Sequence, residues 1–135
     1  MTSSSGPLSD RQQSVETQPV TVEESQVIDV DAALKRLGGD RSILIELAKM
    51  FGEDAPGLIA SIEMGIDEAR FNDVGRTAHN LRGLAANFGA ARLIARLKQL
   101  EGAAAQANRD ESLALVDTVR AEKRRLDEAL AAYCR

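Results

Sequence analysis

The sequence predicts an all-α protein, an antiparallel up-down-up-down four-helix bundle with a short extra helix at its N-terminal end. Hydrophobic residues make up 44% of the 135 residues, and nearly all of them are Ala, Leu, Ile and Val, whereas aromatic residues make up only 3%. That composition can cover one core but disfavours a β-sandwich or barrel. The apolar residues also recur in steps of three and four, the spacing of a buried helical stripe.

Residues 1–26 differ in composition from the rest of the chain. Ser, Thr, Gln and Glu dominate, Pro7 and Pro19 interrupt the segment, and the apolar residues show no period. Such a segment buries too little apolar surface to offset the entropy lost on ordering. We therefore predict a disordered N-terminal tail or linker over residues 1–26 and a single helical domain over residues 27–135.

Two helices are predicted in the first half of the domain. Asp29 or Asp31 can cap a short first helix, which the glycines at 38–39 end. Asp40 caps a long second helix, in which Pro56 predicts a kink rather than a break because the apolar stripe keeps its phase across it. The predicted buried stripe of this helix is Leu44, Leu47, Phe51, Ala55, Leu58, Ile62 and Ile66.

Three more helices are predicted in the second half. The third runs from roughly Phe71 to Phe88 and is closed by Gly89, the fourth begins near Ala90, and a polar connection at 108–110 leads to the fifth. The expected buried residues of the last two helices are Leu93, Leu97, Leu100, Leu115, Val119, Leu126, Leu130 and Tyr133. Short loops between four long amphipathic helices predict antiparallel neighbours.

Charge and cysteine content exclude several classes. A net charge of −4 disfavours a dedicated nucleic-acid binder, and no apolar run is long enough to cross a membrane. The sequence shows no secretory signal. The single cysteine, Cys134, cannot form an internal disulfide. We predict a cytoplasmic, monomeric protein with neither a nucleic-acid nor a membrane partner.

The third helix carries the chain's only histidine, His79. On a helical wheel, the residues that form the core stripe lie about 100° to 180° away from it; they are Val74, Ala78, Leu81, Ala85 and Phe88. His79 therefore points to solvent. The residues within about 60° of it are Asn72, Gly75, Arg76, Arg82, Gly83 and Ala86.

The small residues around His79 weaken the helix. Each interior glycine costs about 1 kcal/mol relative to alanine, and a merely solvated face would hold Glu, Lys and Gln. The small residues Gly75, Gly83 and Ala86 therefore indicate that a partner must come close to the imidazole, since functional sites are where a sequence departs from the residues that favour its local structure. We interpret these three positions, with Arg76, as a partner-binding surface.

The chemistry that suits this face is phosphoryl transfer. A neutral imidazole offers a nitrogen lone pair that can attack phosphorus and form a phosphohistidine. Charge on the phosphoryl oxygens must be neutralised, and Arg82, three residues after His79, is placed to do so. Arg76 flanks the ring on its other side.

These residues resemble the signature of histidine-containing phosphotransfer domains over residues 27–130. The stretches that carry the resemblance are Ile28-Asp29, residues 34–40, residues 51–56, Ala78-His79-Asn80-Leu81-Arg82-Gly83, residues 85–90 and Leu100-Glu101. Arg82 stands where many members have lysine, which preserves the charge. Gly75 is not a usual residue of the family, so its role depends on the wheel alone.

The resemblance implies a phosphorelay intermediate of a two-component system, a phosphocarrier rather than an enzyme. His79 would accept a phosphoryl group from a receiver-domain aspartate and pass it to another receiver, with Arg82 as the cationic neighbour and Gly83 keeping the ring accessible. Response-regulator receiver domains are the implied partners, with a hybrid sensor histidine kinase as a further candidate. No cofactor or metal is expected on this chain, since Mg²⁺ would belong to the receiver.

Several other interpretations stay open at the level of sequence. The chain could be an adaptor bundle that docks a receiver without transferring phosphate, although an intact His79 argues against it. A sensor-kinase dimerisation helix pair would carry its histidine on the first helix of a hairpin. A lone surface histidine is often only solvated, Arg76 can be a solubilising charge, and Gly75 can permit close helix packing. A metal or haem role would need a second ligand.

Overall fold

A computed structural model describes residues 26–134, which contain five α-helices and no strand. The helices are α1 (Val30–Arg36), α2 (Arg41–Asp67), α3 (Phe71–Ala86), α4 (Ala91–Ala105) and α5 (Arg109–Cys134). The all-α prediction is confirmed. The predicted tail, apart from its last residue, lies outside the described residues.

The predicted helix boundaries are set by caps and turns. Asp29, not Asp31, caps α1 by accepting a hydrogen bond from the amide of Ala32. The Asp40 carboxylate accepts from the first-turn amides of α2, including that of Ile43 at 3.3 Å. The glycines at 38–39 take positive φ, a conformation that costs other residues more.

Pro56 lies inside one continuous helix, so α2 is not split. Two predicted boundaries need correction. Helix α3 ends at Ala86, two residues before Phe88, and α5 already begins at Arg109, within the predicted polar connection.

The four long helices form a closed ring. Each packs on the next along the chain, and α5 packs back on α2, so short loops produce the antiparallel up-down-up-down order. Helix α1 packs on α2 at one end of the bundle. The chain before it is fastened to the α3–α4 loop, where the Asp29 amide donates to the Phe88 carbonyl at 2.8 Å. Gly89 has φ +59° there, and a Cβ would lie 2.6 Å from the Cβ of Asp29.

The core is mostly aliphatic and lies inside the ring of the four long helices. All five residues of the predicted α3 stripe are buried. On α2, Leu47 and Leu58 are only partly buried, while Ile59 is buried instead. Leu115 and Tyr133 of α5 are likewise only partly buried. These residues sit at the edges of the stripe, where the angle to the core depends on how each helix is rotated against its neighbours.

One ion pair joins α4 to α5. The Arg92 guanidinium donates twice to Glu122, from Nε at 2.9 Å and from Nη2 at 2.8 Å. Glu122 is buried, and the hydrogen bonds and charge of Arg92 hold the pKa of its carboxyl below the ordinary value. Among residues 26–134, no helix has both the length and the apolar character that crossing a bilayer requires.

Candidate functional site

Helix α3 fixes His79 in its middle with the ring turned away from the core. Its neighbours Ala78 and Leu81 are fully buried in the bundle, so the helix cannot rotate without exposing its stripe. The His79 side chain is 69% exposed. The structure thus places the imidazole on the open surface that the helical wheel predicts.

Arg82 lies against the imidazole, one turn further along α3. Its Nη2 atom is 2.8 Å from His79 Nδ1. The guanidinium is held from the other side by Glu101 of α4, with Arg82 Nε 2.6 Å from Oε2 and Nη2 3.2 Å from Oε1. Glu101 Oε1 is also 3.3 Å from His79 Nδ1. Three side chains from two helices therefore meet at one ring nitrogen.

The electrostatics of this cluster keep both charges in place. Burial raises the pKa of the Glu101 carboxyl, but the hydrogen bonds and positive charge of Arg82 and the contact with His79 outweigh it, so the pKa lies below its ordinary value. The hydrogen bond to Glu101 raises the pKa of Arg82. The side chains of Arg82 and Glu101 are 27% and 24% exposed, so water only partly screens the pair.

The other ring nitrogen of His79, Nε2, is free of such contacts. Among residues 26–134, no group makes a hydrogen bond to it, since both contacts of the ring are at Nδ1. A ring held at one nitrogen and open at the other can present the second to a reacting group.

The glycines beside His79 lie on open surface. A Cβ built on Gly75 or on Gly83 would meet no atom within 4 Å, which excludes close helix packing as the reason for Gly75. The contrast is Gly65 of α2, where a Cβ would lie 2.8 Å from Cγ2 of Val74. Ala86 is exposed, and its carbonyl accepts a hydrogen bond from the Arg36 side chain.

Arg76 is not brought to the imidazole. Its side chain is 75% exposed and pairs with Asp73, three residues earlier, because helical side chains lean toward the N-terminus of their helix. Asp73 also contacts Arg70, at 3.3 Å. Arg76 therefore belongs to a charged strip at the start of α3, beside a shallow groove that Ser61 and Met64 of α2 complete.

Glu101 is the residue that sequence reasoning missed as a member of the site. Glu101 directly follows the buried Leu100, so a helical wheel of α4 alone places it at the edge of the buried stripe. What the wheel of one helix cannot show is which residue of α3 faces it. Among residues 26–134, no three His, Cys, Asp or Glu side chains cluster so that they could hold a metal ion.

Comparison with known proteins identifies a family model, described as Hpt domain, that matches residues 46–133. Two solved structures are similar. The alignment with histidine-containing phosphotransfer protein B (HptB) of Pseudomonas aeruginosa PAO1 covers 82% of this chain and 96% of the HptB chain, with 21% identity and a TM-score of 0.73. The alignment with the histidine-containing phosphotransfer protein ZmHP2 from maize covers 76% of this chain and 75% of the ZmHP2 chain, with 24% identity and a TM-score of 0.66. No curated protein matched. The two structures show a shared helical fold.

Proposed function

This chain belongs to the Hpt domain family, and from that premise we propose that His79 is the residue that carries the phosphoryl group. The family makes the chain a phosphotransfer intermediate of two-component signalling, a carrier rather than a classical enzyme. The observation that supports His79 is an exposed imidazole, the only one in the chain, which is contacted at Nδ1 and, among residues 26–134, has no hydrogen bond at Nε2.

The proposed reaction takes place at Nε2. The donor is an aspartyl phosphate of a receiver domain; its acyl P–O bond breaks, an N–P bond forms at His79, and the electron pair leaves on the aspartate carboxylate. The reverse exchange with a second receiver discharges the histidine. In-line attack needs open space along the direction of approach, and the exposed ring provides it.

Arg82 supplies positive charge next to the transferred group. It lies within 2.8 Å of the ring and stays charged at any working pH. Glu101 keeps the guanidinium in this position through two hydrogen bonds, so little ordering entropy remains to be lost when the phosphoryl group arrives. Arg82 is proposed as the group that neutralises charge and Glu101 as the residue that positions it.

The open face of α3 around His79 is proposed as the docking surface for the receiver domain. Gly75 and Gly83 leave open space on either side of the ring along the helix, Ala86 is exposed further along α3, and Arg76 offers an exposed charge at the edge. The receiver would bring the Mg²⁺, so this chain depends on its partner for catalysis. We place this exchange in the cytoplasm, with a monomeric chain.

The test is phosphorylation by a receiver domain charged with an acyl phosphate and Mg²⁺. Wild-type chain should gain label that is acid-labile and base-stable, and His79→Gln should gain none. Asp117→Asn is the matched control, since Asp117 is exposed on α5, which does not pack against α3; it should be labelled like wild type.

Label on His79→Gln would place the phosphoryl group elsewhere and refute the proposal. Binding of receivers by the wild type with no label, across all receiver domains of the source organism, would instead identify a docking adaptor.

A further inference from the structure

The Nδ1 atom of His79 has two neighbours that require opposite protonation states. A guanidinium can only donate, so the 2.8 Å contact with Arg82 Nη2 requires the Nδ1 lone pair. A carboxylate can only accept, so the 3.3 Å contact with Glu101 Oε1 requires a proton on Nδ1. Because a neutral imidazole carries one N–H, the two contacts are alternatives, and each belongs to one tautomer.

The geometry favours the contact with Arg82. Its Nε and Nη2 atoms both bind the Glu101 carboxylate, which fixes the orientation of the planar guanidinium. Nη2 carries two hydrogens, so it can donate one to Glu101 Oε1 and the other to His79 Nδ1. The Arg82 contact is also 0.5 Å shorter than the Glu101 contact, from 3.3 and 2.8 Å. With Nδ1 accepting, the ring proton is on Nε2.

We propose that Arg82 holds the resting imidazole of His79 in its Nε2–H tautomer, and that an arriving phosphoryl group releases it. This inference rests on the proposed function. An Nε2 that carries a proton has no lone pair for attack on phosphorus. The resting site is therefore closed to chemistry although the ring is open to solvent.

Release follows from competition for one guanidinium. An anionic phosphoryl group near Nε2 attracts Arg82 away from Nδ1, since hydrogen bonds from arginine to phosphate are stronger than those to a neutral acceptor. Nδ1 then takes a proton from water, keeps it and donates a hydrogen bond to Glu101 Oε1, while Nε2 gives its proton to water, so the ring stays neutral. The Nε2 lone pair forms the N–P bond while the donor's P–O bond breaks and its electron pair leaves on the aspartate carboxylate.

This arrangement depends on arginine. A lysine ammonium is a point charge without the planar fork that joins two carboxylate oxygens and a ring nitrogen. Arg82 thus gives this chain a positioning residue that acts on the tautomer.

The test is the ring ¹⁵N spectrum of His79, which is unambiguous because the chain has one histidine. It is recorded without any partner, at about pH 8.5, where an ordinary imidazole is neutral. Arg82→Ala should shift the tautomer ratio about fivefold toward Nδ1–H, the effect of one lost hydrogen bond. Arg82→Met, which keeps the apolar stem, should do the same if Arg82→Ala loses helical structure.

Arg76→Ala is the matched control, since Arg76 also lies three residues from His79 but pairs with Asp73; its ratio should equal that of the wild type. An unchanged ratio in the folded Arg82 variants, or an equal shift in Arg76→Ala, would overturn the inference. The spectrum needs no phosphotransfer, so a failure of His79 to be phosphorylated would refute the proposed function and leave this result standing.

Discussion

The two faces of helix α3 meet opposite requirements within 16 residues. One face is closed and fully buried; its members are Val74, Ala78, Leu81 and Ala85. The other is open, and a Cβ added to its glycines, Gly75 and Gly83, would touch nothing. Burial of the closed face stabilises the bundle, whereas the glycines of the open face lower the stability of the helix and leave His79 accessible. Substitutions on the two faces should therefore separate stability from phosphotransfer.

The largest effect is expected on the closed face. Leu81→Asp places an unpaired carboxylate at a fully buried position, and we expect it to lower the free energy of unfolding by more than about 4 kcal/mol and to unfold the domain. Asn80→Asp is the matched control on the next residue, which is exposed. Circular dichroism during urea titration measures both. A folded, cooperative Leu81→Asp variant would show that this face is not the core.

Replacing a glycine by alanine should change the free energy of unfolding in opposite directions, depending on whether the glycine packs against the closed face of α3 or lies on its open face. Gly65→Ala forces a methyl group against Val74 on the closed face and should cost about 1–3 kcal/mol. Gly75→Ala on the open face should gain about 1 kcal/mol yet slow phosphotransfer about tenfold, because the receiver's approach is displaced.

The control for this pair is Gly52→Ala on α2, where a Cβ also meets open space. It should gain stability like Gly75→Ala and leave transfer unchanged. A Gly75→Ala variant that is stabilised and transfers at the wild-type rate would mean that the partner does not approach this turn.

The closed face could be predicted from the sequence because it depends on one helix alone. The four residues assigned to it that lie in α3 are all buried, since a period of 3.6 residues fixes which side chains share a side. The cap of α2 could be predicted for the same reason, because Asp40 acts on amides two or three residues away, whereas the sequence left both Asp29 and Asp31 open as the cap of α1. The direction of His79 is likewise a property of its own helix.

Relations between helices could not be predicted in the same way. Leu47 and Leu58 were assigned to the core and are only partly buried, because the rotation of α2 against its neighbours decides which edge of the stripe is covered. The contact of Arg82 with Glu101 spans 19 residues and depends on the register of α4 against α3. The sequence motif includes Glu101, but no local pattern states what it binds.

The smallest effect is expected at Glu101, on the border of the open face. Its pKa lies below the ordinary value in the folded chain, whereas the pKa of the same carboxyl in the unfolded chain should be about 4.3. A lowered carboxyl pKa contributes stability that is complete above the unfolded value and is lost as the pH falls through the folded value. Glu101→Gln should therefore cost up to about 1 kcal/mol at neutral pH and almost nothing in strong acid, where wild-type Glu101 is protonated.

Urea titrations across the acid range measure this convergence. Glu122→Gln is the matched control, because the Arg92 pair also lowers the pKa of Glu122, but on the α4–α5 side of the bundle. Both variants should converge with the wild type in acid, and only Glu101→Gln should alter the rate of phosphotransfer, since only Glu101 holds the guanidinium next to His79. If the difference in the free energy of unfolding between Glu101→Gln and the wild type stays constant with pH, Glu101 contributes through packing and not through its charge. If Glu122→Gln loses phosphotransfer equally, the Arg82–Glu101 pair has no special role at the site and, like the Arg92–Glu122 pair, only joins two helices.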